Sequence, residues 1–294
     1  MMTLKISAVV PSVKRHDALV RVVDALLSQT QPLSQLVVSV PDEAVAIPAQ
    51  LRGRQGVAVV TSGKGASRQR NTGVAALDAD TDVVIFLDDD SVPRDDYVAQ
   101  VEAVFSESQD VIAMTGRMAR DGAAEKIELT PAEITSALEA SHDLDGVEQQ
   151  ETWNQLYGCN MAIRYADVVA TPFDEELPLY SWLEDLDVAR RLAKRGRLVR
   201  DPRCVVAHQG NASGGRTQHI RFGYSSVANP IYLLNKGSLR WADLAPLIVI
   251  PVLGNLRGLL SKESDERRER LRGQFMALTD LPRRRMTPAR ITEI

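Results

Sequence analysis

The sequence has little cysteine, no basic excess and no long unbroken apolar run, and each shortage removes a class of protein. Only Cys159 and Cys204 are present, far apart and in no metal-ligand spacing, so neither a disulfide framework nor a zinc knuckle is indicated and a reducing cytoplasm fits best. Lys and Arg number 35 against 39 Asp and Glu, a net charge of −4 that argues against a general nucleic-acid binder. The opening MMTLKISAVVPSVKRHD lacks the length and small-residue cleavage site of a signal peptide. The longest apolar stretch, Leu244 to Leu260, is broken by Pro246, Pro251, Gly254 and Arg257 and is short for a membrane span. Two uses remain for it: a core helix, or an interfacial anchor in a peripheral membrane contact. In the second, Arg240, Arg257, Arg267, Arg268 and the arginines at 283–285 would meet anionic lipid, diluted by Glu263, Asp265, Glu266 and Glu269. No internal repeat or low-complexity linker divides the chain.

What is present reads as α/β. At 294 residues, 44% hydrophobic and 25% charged, the chain has room for one large domain or two small ones. Strand-like runs at 4–11, 33–41, 56–62 and 82–88 alternate with helix-period segments at 16–30, 66–79 and 94–108. Continuously apolar strands alternating with helices predict a mostly parallel sheet covered on both faces. A further strand is expected at 110–119, then a polar insertion with a helix from Pro131 to about His142. Strand and helix-start character returns at 155–168, a helix ends at Gly196, short strands follow at 197–200 and 203–207, and helices fill the rest.

Ligands of open α/β sheets bind beyond the carboxyl ends of the strands, where Pro11, Asp42 and the triplet Asp88, Asp89, Asp90 all fall. Three adjacent carboxylates repel one another. Either they form a polar loop that caps the next helix, or a divalent cation such as Mg²⁺ or Mn²⁺ relieves the repulsion. Such ions are commonly held by one or two carboxylates plus substrate phosphates, which points to a nucleoside diphosphate as third party.

The order of motifs is a strand ending at Pro11, GKGASRQRNTG (63–73), VVIFLDDDSVP (83–93), LYGCNMAIR (156–164), WLEDLDVARRLAKRG (182–196) and VVAHQGN (205–211). From residue 4 to about 236 this order resembles the family 2 nucleotide-sugar glycosyltransferases of the GT-A fold, of the inverting, bacterial polysaccharide type. The resemblance implies that Asp88 orients the nucleotide ribose, that Asp90 ligates the metal, and that Asp89 lies near the sugar. It nominates Arg70 and Asn71 as donor contacts, where a plain helix N-terminus is the rival reading. Asp42 is a weaker match, because the family often has two acids after its second strand and this chain has VVSVPD.

Glu184–Asp185 is similar to the family's E-D motif, which implies that Asp185 is the catalytic base with Glu184 in support. The competing reading is that both simply complement a helix dipole. His208 matches a metal-binding histidine of some relatives, against an ordinary structural histidine. GNASGGRTQHIR (210–221) is read either as a solvated loop or as a lid, with Arg216, His219 or Arg221 neutralising the departing diphosphate.

The expected organisation is a nucleotide-sugar-binding half (1–118), an acceptor-binding and catalytic half (119–215) and a helical C-terminal extension (216–294). The expected acceptor is a saccharide or lipid-linked saccharide. Two rivals stand beside this reading. A nucleotidyltransferase would carry a glycine-rich phosphate loop after its first strand, and VVPSVKRHD has no glycine. A non-catalytic saccharide-binding module would have no use for the acids at 88, 90 and 185.

Overall fold

The computed structural model describes residues 3–147, 149–210, 217–260 and 264–294. The chain divides into two compact units, the first formed by 1–64, 68–173 and 188–212, the second by 65–67, 174–187 and 213–294.

The first unit is built on a sheet. Strand β1 (Ile6–Pro11) is buried along its whole length and runs parallel to β2 (Gln35–Val40) on one side and β4 (Val83–Phe86) on the other, with β3 (Ala58–Thr61) parallel to β2. Val-, Ile- and Ala-rich runs suit β1, β2 and β4, where both sheet faces are covered, whereas β3 at the end of the sheet is only partly buried. Helix α1 (His16–Leu27) buries Ala18, Leu19, Val22, Val23 and Leu26, the stripe that its 3.6-residue period dictates.

Beyond β4 the sheet is mixed rather than parallel, and the order is β3-β2-β1-β4-β8-β6-β9-β5. Strand β8 (Met161–Arg164) lies antiparallel between β4 and β6 (Val111–Asp121), whereas β6 and β9 (Arg197–His208) are parallel. The edge strand β5 (Ser91–Pro93) is antiparallel to β9, as is the short β7 (Glu151–Thr152). Strand direction follows from where the chain re-enters the sheet after the excursion at 122–160, and no local pattern encodes that.

The two short strands expected at 197–200 and 203–207 are one strand, β9. Asp201 and Pro202 do not break it because the ladder shifts register there, between Thr115 and Arg117 of β6, and a bulge tolerates proline. The fully buried Asp201 is satisfied by the backbone and guanidinium of Arg203 and by Gln150, while Arg117 Nε donates to the Pro202 carbonyl at 3.2 Å. In the polar insertion, the helix Pro131–Ala140 starts on a Thr130–Glu133 capping box with proline in its first turn.

The second unit is mostly helical. The helices His219–Lys236 and Ser264–Asp280 enclose Tyr224, Val227, Ala228 and Ala277 with Ile291, and Leu177, Leu183, Leu233 and Leu239 form a second cluster. The apolar stretch folds as a π-helical turn at Ala245–Val249 followed by the helix Ile250–Arg257, and it leaves Val249, Ile250, Leu253 and Leu256 exposed. Among the described residues no helix is long and apolar enough to cross a membrane.

Candidate active site

The acidic triplet lies between β4 and β5, and the pairing of Ser91 with His208 carries it to the end of β9. One ligand atom each from Asp88, Asp90 and His208 lie within 4.8 Å of one another, a set of two carboxylates and an imidazole suited to a divalent cation. Asp90 is 1% exposed, and His208 Nε2 stands 3.3 Å from its Oδ1.

Several neighbours offset the crowded negative charge. Arg15 Nη1 reaches Asp89 Oδ1 at 3.0 Å and Asp90 Oδ2 at 2.8 Å, and Ser12 Oγ donates to Asp89 Oδ2 at 2.6 Å. Burial pushes the Asp89 carboxyl up, Arg15 draws it back, and the charge of Asp90 pushes it up again, to about 7. Asp89 is thus turned inward, onto the loop after β1.

At the far end of the group, His208 Nδ1 pairs with Asp121 Oδ1 at 2.9 Å. Burial lowers the histidine pKa, but the hydrogen bonds to Asp121 and Asp90 more than reverse that and lift it to about 10. Burial raises the Asp121 carboxyl in turn, and the hydrogen bonds from His208 and Tyr157 overcome it to hold Asp121 at about 2. A cation taken by Nε2 would therefore replace a proton there.

Of the other residues singled out in the sequence, Arg70 is 2% exposed and enters the group through Asp88, donating from Nη2 to Asp88 Oδ1 at 3.0 Å. Asn71 exchanges two hydrogen bonds with the backbone of Phe173, each 2.9 Å. Pro11 ends β1, buried beside Ser39, and Asp42 is an exposed cap whose carboxylate accepts from the Ala44 backbone at 3.0 Å. Arg216 lies outside the described residues. Of its neighbours, Arg221 donates to the Ile294 carbonyl and to Gln218, and His219 accepts from Arg270 at 3.2 Å.

Glu184 and Asp185 belong to the second unit and open the helix Glu184–Leu192. The backbone leading to them is strained: Leu179, Ser181 and Leu183 have φ of +57°, +53° and +75°, a region that residues with a side chain rarely occupy. Surrounding bonds hold the strain in place. Ala66 N donates to the Leu179 carbonyl at 3.0 Å, Ser181 Oγ to the Leu177 carbonyl at 2.6 Å, and Asn229 to the Trp182 carbonyl at 2.9 Å. Two residues beyond Asp185, the fully buried Asp187 is fixed by Lys236 at 2.9 Å and by Ser238. Glu184 is buried and Asp185 half-buried at the start of this anchored turn.

Sequence reading alone passed over Arg15, Ser12, Asp121 and Tyr157. A basic residue just after β1 and an Asp-Gly pair ending β6 were the available signals.

A profile for glycosyl transferase family 2 matches residues 7–167, more than half of the 294-residue chain. The chain belongs to that family. No curated protein matches it. Solved structures share the fold. The mannosyltransferase PcManGT from Pyrobaculum calidifontis, in complex with GDP-Man and Mn²⁺, is 16% identical, with 95% of this chain and 88% of that chain covered and a TM-score of 0.53. GalNAc-T7 with UDP, GalNAc and Mn²⁺ is 15% identical over 96% of this chain and 58% of that one, TM-score 0.55. TarS 1–349 of S. aureus is 13% identical over 92% and 71%, TM-score 0.50. The family 2 match includes the acidic triplet and the strands around it.

Proposed function

We propose that this family 2 chain is a metal-dependent, inverting glycosyltransferase that moves a hexosyl or deoxyhexosyl group from a nucleotide-diphospho-sugar to a saccharide or lipid-linked saccharide acceptor, as in polysaccharide biosynthesis. The observation that carries the reading is the convergence of Asp88, Asp90 and His208 at one edge of the sheet. It is supported by fold neighbours whose structures hold GDP-Man or UDP together with Mn²⁺.

In this reading Asp90 and His208 hold Mn²⁺ or Mg²⁺, and Asp88, kept in place by Arg70, orients the nucleotide ribose. When bound, the ion offsets the negative charge that grows on the departing diphosphate. Asp185 removes the proton of the attacking acceptor hydroxyl, and Glu184 supports it. A single base with no covalent intermediate inverts the anomeric centre. Residues 1–118 form the donor half and 119–215 the acceptor half, with 216–294 as a helical extension. The test is a thermal-shift panel of nucleoside diphosphates and sugar nucleotides with and without Mn²⁺, because a ligand selective for the folded state raises its apparent stability. Stabilisation by at least one nucleotide only when Mn²⁺ is present is expected; no metal-dependent shift with any of them would remove the reading.

A further inference from the structure

The Asp121 carboxylate collects donors from four directions. Its Oδ1 faces His208 Nδ1 at 2.9 Å and accepts from the backbone of Ala123 at 3.0 Å and Ala124 at 3.2 Å; its Oδ2 accepts from the Tyr157 hydroxyl at 2.8 Å. The β6–β9 register sets Asp121 directly opposite His208. Two glycines let the strand ends come that close. A Cβ on Gly122 would stand 2.2 Å from the Gln209 carbonyl, and one on Gly210, where φ is +79°, would stand 2.3 Å from the Gly122 backbone. The imidazole is thus gripped at Nδ1 by a carboxylate that three further donors hold in place, while Nε2 faces Asp90 Oδ1 at 3.3 Å.

We propose that Asp121 is a positioning residue for His208: it accepts the Nδ1 proton and fixes the ring so that the Nε2 lone pair is directed at the Asp88–Asp90 carboxylates, where a divalent cation would be held. This rests on the metal role given to that group above. A ring nitrogen's hydrogen bond decides which nitrogen is free to ligate, and a carboxylate in that place also makes the ligand more basic. Tyr157 is the next link, since its hydroxyl fixes the plane of the carboxylate. Capping the four-residue helix Gly122–Glu125 is the competing explanation for Asp121.

Three substitutions separate the two. Asp121→Ser retains a good cap but is too short to reach His208, Asp121→Asn retains shape and cap without charge, and Tyr157→Phe removes only the hydroxyl. Mn²⁺ affinity is read from the loss of the free-ion electron paramagnetic resonance signal, with Mn²⁺ alone and with UDP or GDP. The tautomer of His208 is read by two-bond ¹H–¹⁵N correlation in the Mg²⁺-loaded protein, which has four histidines to assign. We expect Mn²⁺ affinity to fall by roughly 10- to 100-fold in Asp121→Ser, about tenfold in Asp121→Asn and less in Tyr157→Phe, with the Nδ1–H pattern lost in the serine variant. Wild-type affinity in folded Asp121→Ser and Asp121→Asn, while the wild type itself binds Mn²⁺, overturns this inference alone. A wild type that binds no Mn²⁺ overturns the metal reading and this inference with it. Should the serine variant fail to fold, the isosteric asparagine variant decides.

Discussion

Arg70 donates from Nη2 to Asp88 Oδ1 at 3.0 Å and to the Gly158 carbonyl at 3.1 Å, while its guanidinium lies 5.4 Å over the Phe173 ring. An arginine that is 2% exposed meets solvent hardly at all, so in the proposed donor site it would act through the position it gives Asp88.

Replacing Arg70 with methionine is therefore expected to act twice. Loss of the charge-assisted bond to Asp88 should lower folding stability by about 1.5–3 kcal/mol, and Asp88, freed to turn, should hold nucleotide less well in the presence of Mn²⁺. Urea denaturation measures the first effect and calorimetric titration of a nucleoside diphosphate the second. Unchanged values in both would mean that the Arg70–Asp88 pair is incidental.

How far the sequence disclosed this architecture depends on the range of the interaction. Strands β1, β2 and β4 were legible because a strand buried on both faces is apolar almost throughout, and the helix stripe of Leu19, Val22, Val23 and Leu26 was legible for a similar reason. Asp90 and His208 were nominated as ion ligands, and Asp88 for the ribose, through their place in the family's motif order; one ligand atom from each of the three lies within 4.8 Å of the others. The direction of β8, the continuity of β9 through Pro202 and the junction of Asp121 with His208 were not. Each is fixed by register between segments far apart in sequence, and local composition carries no trace of register. Arg70 and Asn71 stood out in the sequence as donor contacts; the structure turns their side chains toward Asp88 and the Phe173 backbone, contacts that no local pattern encodes.

The proposed division of labour predicts that Asp185→Asn separates binding from chemistry. The variant should bind nucleotide and Mn²⁺ as the wild type does, because Asp88, Asp90 and His208 are untouched, and should transfer sugar about a hundredfold more slowly, the scale for loss of a positioned general base. Single-turnover transfer with radiolabelled sugar nucleotide is the measurement. Transfer near the wild-type rate would move the base role to another group, Glu184 first.

The anchoring of that turn supplies a pH signature. Asp174 is 10% exposed and is bonded to Lys236 and to the Tyr232 hydroxyl. Burial pushes its carboxyl up, but Lys236 and the Glu176 backbone outweigh burial and leave it below its ordinary 3.8. A depressed folded-state pKa means the group stabilises the fold fully above about pH 4 and loses that contribution as the pH falls through the folded value. The stability difference between wild type and Asp174→Asn, measured by urea denaturation, should accordingly be constant from neutral pH to about pH 5 and shrink below pH 4. A difference that stays level down to pH 2 would show that the ionised carboxylate contributes nothing.

The last prediction concerns the C-terminal helices. Trp241, Ile250, Leu253 and Leu256 are 79%, 64%, 48% and 48% exposed, and Arg240, Arg268 and Arg283 to Arg285 are exposed as well. Aromatic and aliphatic side chains interspersed with arginine suit an anionic bilayer surface, which would bring a lipid-linked acceptor to the enzyme. Ending the chain after Lys236 would be an uninformative test, because Ala277 and Ile291 complete the core around Tyr224 and Val227. Substituting Ile250 and Leu253 together with aspartate leaves that core intact while placing two charges on the exposed face. The wild type should co-sediment with phosphatidylserine-containing vesicles at low ionic strength and be released near 0.15 M salt, since exposed charges are screened over about 8 Å there. The double variant should stay in the supernatant with unchanged circular dichroism. Equal partitioning of the two proteins would show that these side chains do not meet lipid, and would leave the acceptor to be sought among soluble saccharides.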